Sequence, residues 1–144
     1  MIEQDTVRLL RECDAGVKMG ISSIDDVMDK VKSDSLRQYL GNCRNEHIEL
    51  GKEIETLLEN YQDDGKDPNP IAKGMSWMKT NIKMLEHNED STIADLMLDG
   101  CNMGIKSLYK YLNQYKNADE ESKKICNKLI DIEETLRQDL RNHL

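Results

Sequence analysis

Two polar residues interrupt apolar helical stripes in this chain, and they carry most of its possible chemistry. His47 falls within a run of apolar residues at positions 40, 43, 50 and 54, and Glu133 within a similar run at 126, 129, 136 and 140. Asp14 and Asp99 lie beside inward stripes at a comparable height. Carboxylates and imidazoles are common ligands of iron, manganese and zinc. These four residues therefore form a candidate metal or ligand site.

The same residues also have a purely structural interpretation. His47 and Glu133 could form an ion pair inside a helical bundle, or their side chains could turn outward to water. A single histidine on an apolar face is more often a satisfied core residue than a ligand, because buried polar groups are normally hydrogen-bonded. If both side chains point inward, we expect them to lie within reach of each other or of a shared ion.

The elements that carry these residues are predicted to be long amphipathic helices. Apolar residues recur at spacings of three and four along most of the chain, which is the pattern of one helix face. A first helix is expected over about 3–32, and Ser35 with Gln38 resembles a capping box that opens the second. A later helix should reach about Lys116, and Asp119 should cap the last one.

The composition supports an all-α class and excludes several kinds of partner. The chain of 144 residues has no Phe, one Trp and two Pro, a poor composition for strands. Its formal net charge of −8 disfavours nucleic acids, whose binding requires a basic surface, and anionic membranes. We predict no nucleic-acid and no membrane partner.

The cysteines and the start of the chain indicate a reducing compartment. The sequence begins with acidic residues instead of a signal peptide, and no stretch approaches the apolar length of a membrane span. The cysteines show no C-x-x-C spacing, so we expect them to be buried and reduced in a cytoplasmic protein. They are Cys13, Cys43, Cys101 and Cys126.

Two segments of the chain repeat each other. Residues 16–23 and 100–107 are identical at five of eight positions, including both glycines, the Met and the Ile. The stripes of the following helices also match, with a slightly larger offset. This pattern predicts a single domain, 1–144, made from a duplicated helical hairpin: hairpin one at about 3–61, a connection at 62–90 and hairpin two at about 91–144. A short helix is expected within the connection, opening at Pro70.

The two hairpins and the long crossover resemble the ferritin-like superfamily, which includes rubrerythrins and bacterioferritins. The paired Gly-x-x-Met-Gly-Ile segments and Ser76-Trp77 are similar to small bacterial ferritin-like proteins. The resemblance implies a four-helix bundle. Metal-binding members carry Glu-x-x-His on the second helix of each hairpin, and this sequence has no such motif.

The departure from that motif favours a non-enzymatic binding or structural protein with a degenerate metal site and no cofactor. The alternative is a metal-binding oxidoreductase or metal-storage protein that holds iron, manganese or zinc at the Asp/His/Glu site. An enzymatic activity is therefore the less favoured prediction.

Two further sets of residues are singled out by type and position. Helix-interior glycines occur in matching pairs and predict either close packing of two helices or room for a ligand. They are Gly16, Gly20, Gly100 and Gly104. An aromatic-Met cluster in the connection either caps the bundle or forms an exposed interface, and the second possibility together with the family resemblance predicts a homo-oligomer, most simply a dimer. It comprises Met75, Trp77 and Met78.

Overall fold

The computed structural model describes residues 2–67 and 90–144. These residues form four helices, and no strand occurs among them, so the predicted all-α class is confirmed. The helices are α1 (Ile2–Met28), α2 (Asp34–Glu59), α3 (Asp90–Gln114) and α4 (Glu120–Leu140), followed by a short 3-10 turn (Arg141–His143). None of the described helices is both long and apolar enough to cross a bilayer. The predicted short helix and the Met75, Trp77 and Met78 cluster lie outside the described residues.

The helix ends correct several predicted boundaries. The N-cap of α2 is Ser33 and not Ser35: the Ser33 hydroxyl accepts a hydrogen bond from the Leu36 amide at 3.3 Å. The last helix is capped as predicted, since the Asp119 carboxylate accepts from the Ser122 amide at 2.8 Å. α3 ends at Gln114, two residues before the predicted Lys116.

α1 ends at Met28, four residues earlier than predicted. The backbone beyond it is bonded outside the helix. The Val31 carbonyl accepts from the Arg37 guanidinium, and the Lys32 and Ser33 amides donate to the Asp90 carboxylate at 2.9 and 2.8 Å. These backbone groups bond residues outside α1. The residues predicted as its last helical turn therefore form a tight connection into α2.

Hydrogen bonds between the hairpins set the direction of each helix. Asp90 begins α3 and bonds the α1–α2 turn, so α3 starts at the same end of the bundle as α2. At the other end, Asp5 and Thr6 accept from the amides of Asn117 and Asp119 in the α3–α4 turn, at 3.0 and 2.8 Å. α2 and α3 are therefore parallel.

The core is divided into two apolar clusters at opposite ends of the bundle. α1 packs against α2 and α3 against α4, while α2 contacts α4 and α1 contacts both α3 and α4. One cluster includes Leu10, Ile54 and Leu129, and the other includes Ile24, Leu40 and Leu136. Between them lies a level that we call the waist, occupied by Gly20, His47, Gly104 and Glu133.

Candidate functional site

His47 and Glu133 meet at the waist. The Nε2 atom of His47 lies 2.9 Å from Oε1 of Glu133, so the contact expected from the two apolar stripes is present. His47 is fully buried, and the Glu133 side chain is 14 % exposed. On the opposite side of the ring, Nδ1 donates to the backbone carbonyl of Cys43 at 2.8 Å.

These contacts hold a proton on both imidazole nitrogens. A carbonyl oxygen and a carboxylate are both acceptors, so each ring nitrogen acts as a donor and the ring is an imidazolium. Burial opposes this charge, but the hydrogen bonds with Cys43 and Glu133, together with the Glu133 charge, outweigh it and raise the pKa of His47 to about 10. The pair is therefore a buried salt bridge without net charge.

Two thiols lie beside this pair. The Sγ atom of Cys43 is 3.5 Å from Nδ1 of His47, and Cys101 lies close enough to Glu133 for the charge of that carboxylate to act on its thiol. Burial raises the pKa of Cys101, with the Glu133 charge adding to the effect, and burial also raises the pKa of Cys43. Both are therefore neutral thiols. All four cysteines are buried and unpaired, as predicted.

The other two candidate ligands do not join the pair. Asp14 is buried, but its carboxylate accepts from the Lys66 amide at 2.9 Å and pairs with the Lys18 ammonium at 2.8 Å, which fastens the loop after α2 to α1. Asp99 is exposed. Within residues 2–67 and 90–144, no three His, Cys, Asp or Glu side chains form a group able to hold a metal ion. The four-residue site is thus reduced to one pair.

The matched glycines do not serve direct packing of α1 against α3. A Cβ on Gly20 would lie 2.5 Å from Nε2 of His47, so this glycine makes room for the imidazole ring. A Cβ on Gly104 would lie 3.9 Å from Oε2 of Glu133, and one on Gly16 would lie 3.4 Å from Leu129. A Cβ on Gly100 would meet no atom of the described residues within 4 Å. None of these nearest contacts in residues 2–67 and 90–144 joins α1 to α3, and room for a ligand stays a prediction.

A cavity of about 650 Å³ lies between α1 and α3, with α2 and α4 forming its floor. All four glycines line it, and the floor includes both members of the His47–Glu133 pair. Most of its remaining walls are apolar, and the flexible methionines among them adapt readily to different shapes. These wall residues include Met19, Ile24, Met97, Leu108, Leu129 and Leu136.

Comparison with known proteins gives no match among family models, curated proteins or solved structures.

One end of the cavity carries a polar group that sequence patterns did not indicate. Lys66 forms an ion pair with Glu12, and Tyr111 lies near the same carboxylate. Burial and the Glu12 charge together raise the pKa of Tyr111. Glu12 and Tyr111 lie on predicted helices, but Lys66 follows α2 in a loop, and helical periodicity does not predict where a loop residue packs.

Alanine substitutions at two of the glycines are expected to have opposite effects on stability. Gly100→Ala should stabilise the fold by about 0.5–1 kcal/mol, since the added methyl meets no neighbour among the described residues and alanine favours the helix. Gly20→Ala should destabilise it by about 1–3 kcal/mol, since the methyl overlaps a ring held by two hydrogen bonds. Urea denaturation measures both changes. Equal gains from the two variants would contradict the account of Gly20.

Proposed function

We propose that this protein is a non-enzymatic binding protein that holds a small molecule in the waist cavity. The observation that carries this proposal is the cavity of about 650 Å³, whose walls are mainly apolar and whose floor contains one polar pair. Ligand sites are commonly apolar clefts of about 300–1,000 Å³ with a few well-placed polar groups. The cavity matches this description in volume and in chemistry.

Gly100 gives independent support for a space that is kept open. Glycine inside a helix is less stable than alanine by about 0.5–1 kcal/mol. At Gly100 an alanine would fit without contact to any residue of 2–67 or 90–144, so among these residues folding stability alone favours alanine there. Gly100 lines the cavity, and the absence of a side chain keeps the wall of α3 back from it. A requirement for room at this position explains the residue.

The chemistry of the pair supports binding over catalysis. Both nitrogens of His47 donate hydrogen bonds, so the ring has no free lone pair with which to accept a proton or coordinate a metal. Oε1 of Glu133 is occupied by the same ring. We interpret the pair as the remainder of a degenerate metal site that now shapes and polarises the cavity floor.

The alternative, a metal-binding oxidoreductase or metal-storage protein, has less support. Metal binding would require His47 to lose a proton and Asp14 to leave its contacts with Lys18 and the loop after α2. Elemental analysis of protein purified without a chelating tag separates the two functions. The binding-protein proposal expects well under one iron, manganese or zinc per chain, and near-stoichiometric metal would favour the alternative.

The finer fold assignment is part of the proposal. We infer a ferritin-like bundle built from a duplicated hairpin, supported by the parallel direction of α2 and α3 and by one long connection between them. The reciprocal bonds also fit a duplication, because residues at the start of each hairpin bond the turn of the other. Homodimerisation through Met75, Trp77 and Met78 and a cytoplasmic location stay predictions from the sequence.

Filling the cavity from Gly100 tests the proposed function. The neutral hydrocarbon fluorophore diphenylhexatriene should bind the wild-type protein saturably with a rise in fluorescence. Gly100→Leu should weaken binding at least about tenfold, because the leucine side chain occupies the space that the ligand needs. Circular dichroism should show that this variant keeps its helical content.

Gly41→Leu is the matched control. Gly41 also lies inside a helix and does not line the cavity, and a Cβ there would meet no atom within 4 Å in the part of the chain that the structure describes. This variant should bind the fluorophore as the wild type does. Absence of saturable binding to the wild type, or equal binding by Gly100→Leu, would overturn the proposal.

A further inference from the structure

We propose that the waist cavity selects an elongated apolar molecule whose polar group is a neutral hydroxyl that donates a hydrogen bond to Oε2 of Glu133. This inference rests on the proposed binding function and specifies the class of ligand. It follows from the hydrogen-bonding capacity left at the waist, from the charge balance there and from the shape of the cavity.

The waist has no free donor on the His47–Glu133 pair. The proton on Nδ1 of His47 goes to the Cys43 carbonyl at 2.8 Å, and the proton on Nε2 goes to Glu133 at 2.9 Å. Ser23 and Ser107 line the cavity one turn away from the waist, and their hydroxyls both donate and accept, so they do not discriminate between ligands. A ligand with only acceptor atoms therefore finds no free donor on this pair.

Glu133 supplies the free acceptor. An ionised carboxylate has about four lone-pair positions on two oxygens. His47 uses one position on Oε1. Oε2 faces Gly104, where a Cβ would lie 3.9 Å away, so the glycine leaves the approach to this oxygen open. The atom that a ligand can reach is an acceptor and requires a donor.

The charge balance favours a neutral donor. His47 and Glu133 form a pair without net charge on the floor of an apolar cavity. An ammonium group bound at Oε2 would face the imidazolium, and a carboxylate would face Glu133. Either ion would also lose its hydration without a full opposite charge in return. A hydroxyl can donate to Oε2 without these costs.

The cavity is long and narrow. Its lining extends from Glu12 to Ile24 on α1 and from Met97 to Tyr111 on α3. At the helical rise of about 1.5 Å per residue, these stretches span about 18 and 21 Å. A volume of about 650 Å³ over that length suits an extended chain or a narrow ring system better than a globular molecule.

Displacement of bound diphenylhexatriene by four matched decyl compounds tests the inference. The compounds are decanol, decyl methyl ether, decanoate and decylamine, which differ in donor capacity and charge. Decanol should displace the fluorophore at a concentration at least about tenfold lower than each of the others, since a hydrogen bond to a charged acceptor contributes that factor. Equal displacement by the ether, or stronger displacement by either ion, would overturn the choice of a hydroxyl.

Two variants connect the selectivity to Glu133. In Glu133→Gln the amide has one carbonyl oxygen for both His47 and the ligand, so the advantage of decanol over the ether should disappear. Gly104→Ala narrows the approach to Oε2 by adding a carbon 3.9 Å from this oxygen, and it should reduce the same advantage in a protein that stays folded. An unchanged advantage in both variants would refute the role of Glu133.

The two proposals fail in different ways. If the wild type does not bind diphenylhexatriene, the proposed binding function and this inference both fail. If the fluorophore binds and Gly100→Leu blocks it, but decanol has no advantage, the binding function stands and the hydroxyl class is wrong.

Discussion

Glu133→Leu is expected to lower the free energy of unfolding by about 3–5 kcal/mol. The substitution leaves His47 fully buried and removes one of its two hydrogen-bond partners together with its paired charge. His47→Leu should have a smaller effect, because the Glu133 side chain is 14 % exposed and can turn towards the cavity. Urea denaturation of each variant gives the two values.

A double-mutant cycle measures the coupling between the two side chains. Replacing both residues with leucine should recover much of the loss, because two apolar groups replace a pair whose desolvation roughly offsets its attraction. Glu46→Leu is the control: Glu46 is an exposed neighbour of His47, and its replacement should change stability by less than about 0.5 kcal/mol. Additive, near-neutral effects of the two single variants would mean that the residues are not energetically coupled.

Alkaline pH should destabilise the protein through His47. The hydrogen bonds and the charge of Glu133 raise the pKa of His47 from 6.5 to about 10 in the folded protein. The folded state therefore binds the proton more tightly than the unfolded chain. The resulting stability is fully present below pH 6.5 and is lost as the pH rises from 6.5 towards about 10. A single site gives a slope of at most about 1.4 kcal/mol per pH unit.

His47→Gln isolates this contribution, because glutamine does not titrate. The difference in unfolding free energy between the wild type and this variant should shrink as the pH rises above 6.5 towards about 10. Lysines and tyrosines contribute equally to both proteins there, so their titration cancels in the difference. Parallel pH profiles for the two proteins would show that His47 does not carry a stabilising proton.

The sequence alone determined the helices and the face that each one buries. Helix periodicity depends on local geometry, since residues three and four apart share a face whatever packs against them. This is why the stripes around His47 and Glu133 placed both side chains inside the bundle. The cap at Asp119 was equally local, because its partner is the Ser122 amide. The hairpin pattern further predicted which two polar residues would meet.

The tertiary structure determined which partners these inward residues contact. Periodicity places Asp14 and Gly20 on faces of α1, but their partners come from segments far away in the chain. Asp14 holds the Lys66 amide, which lies 52 residues later, and so acts in loop attachment instead of metal binding. The nearest neighbour of Gly20 is the ring of His47, which belongs to α2, and not the helix that carries the matching glycines. Such contacts depend on the relative positions of packed helices, which no local spacing specifies.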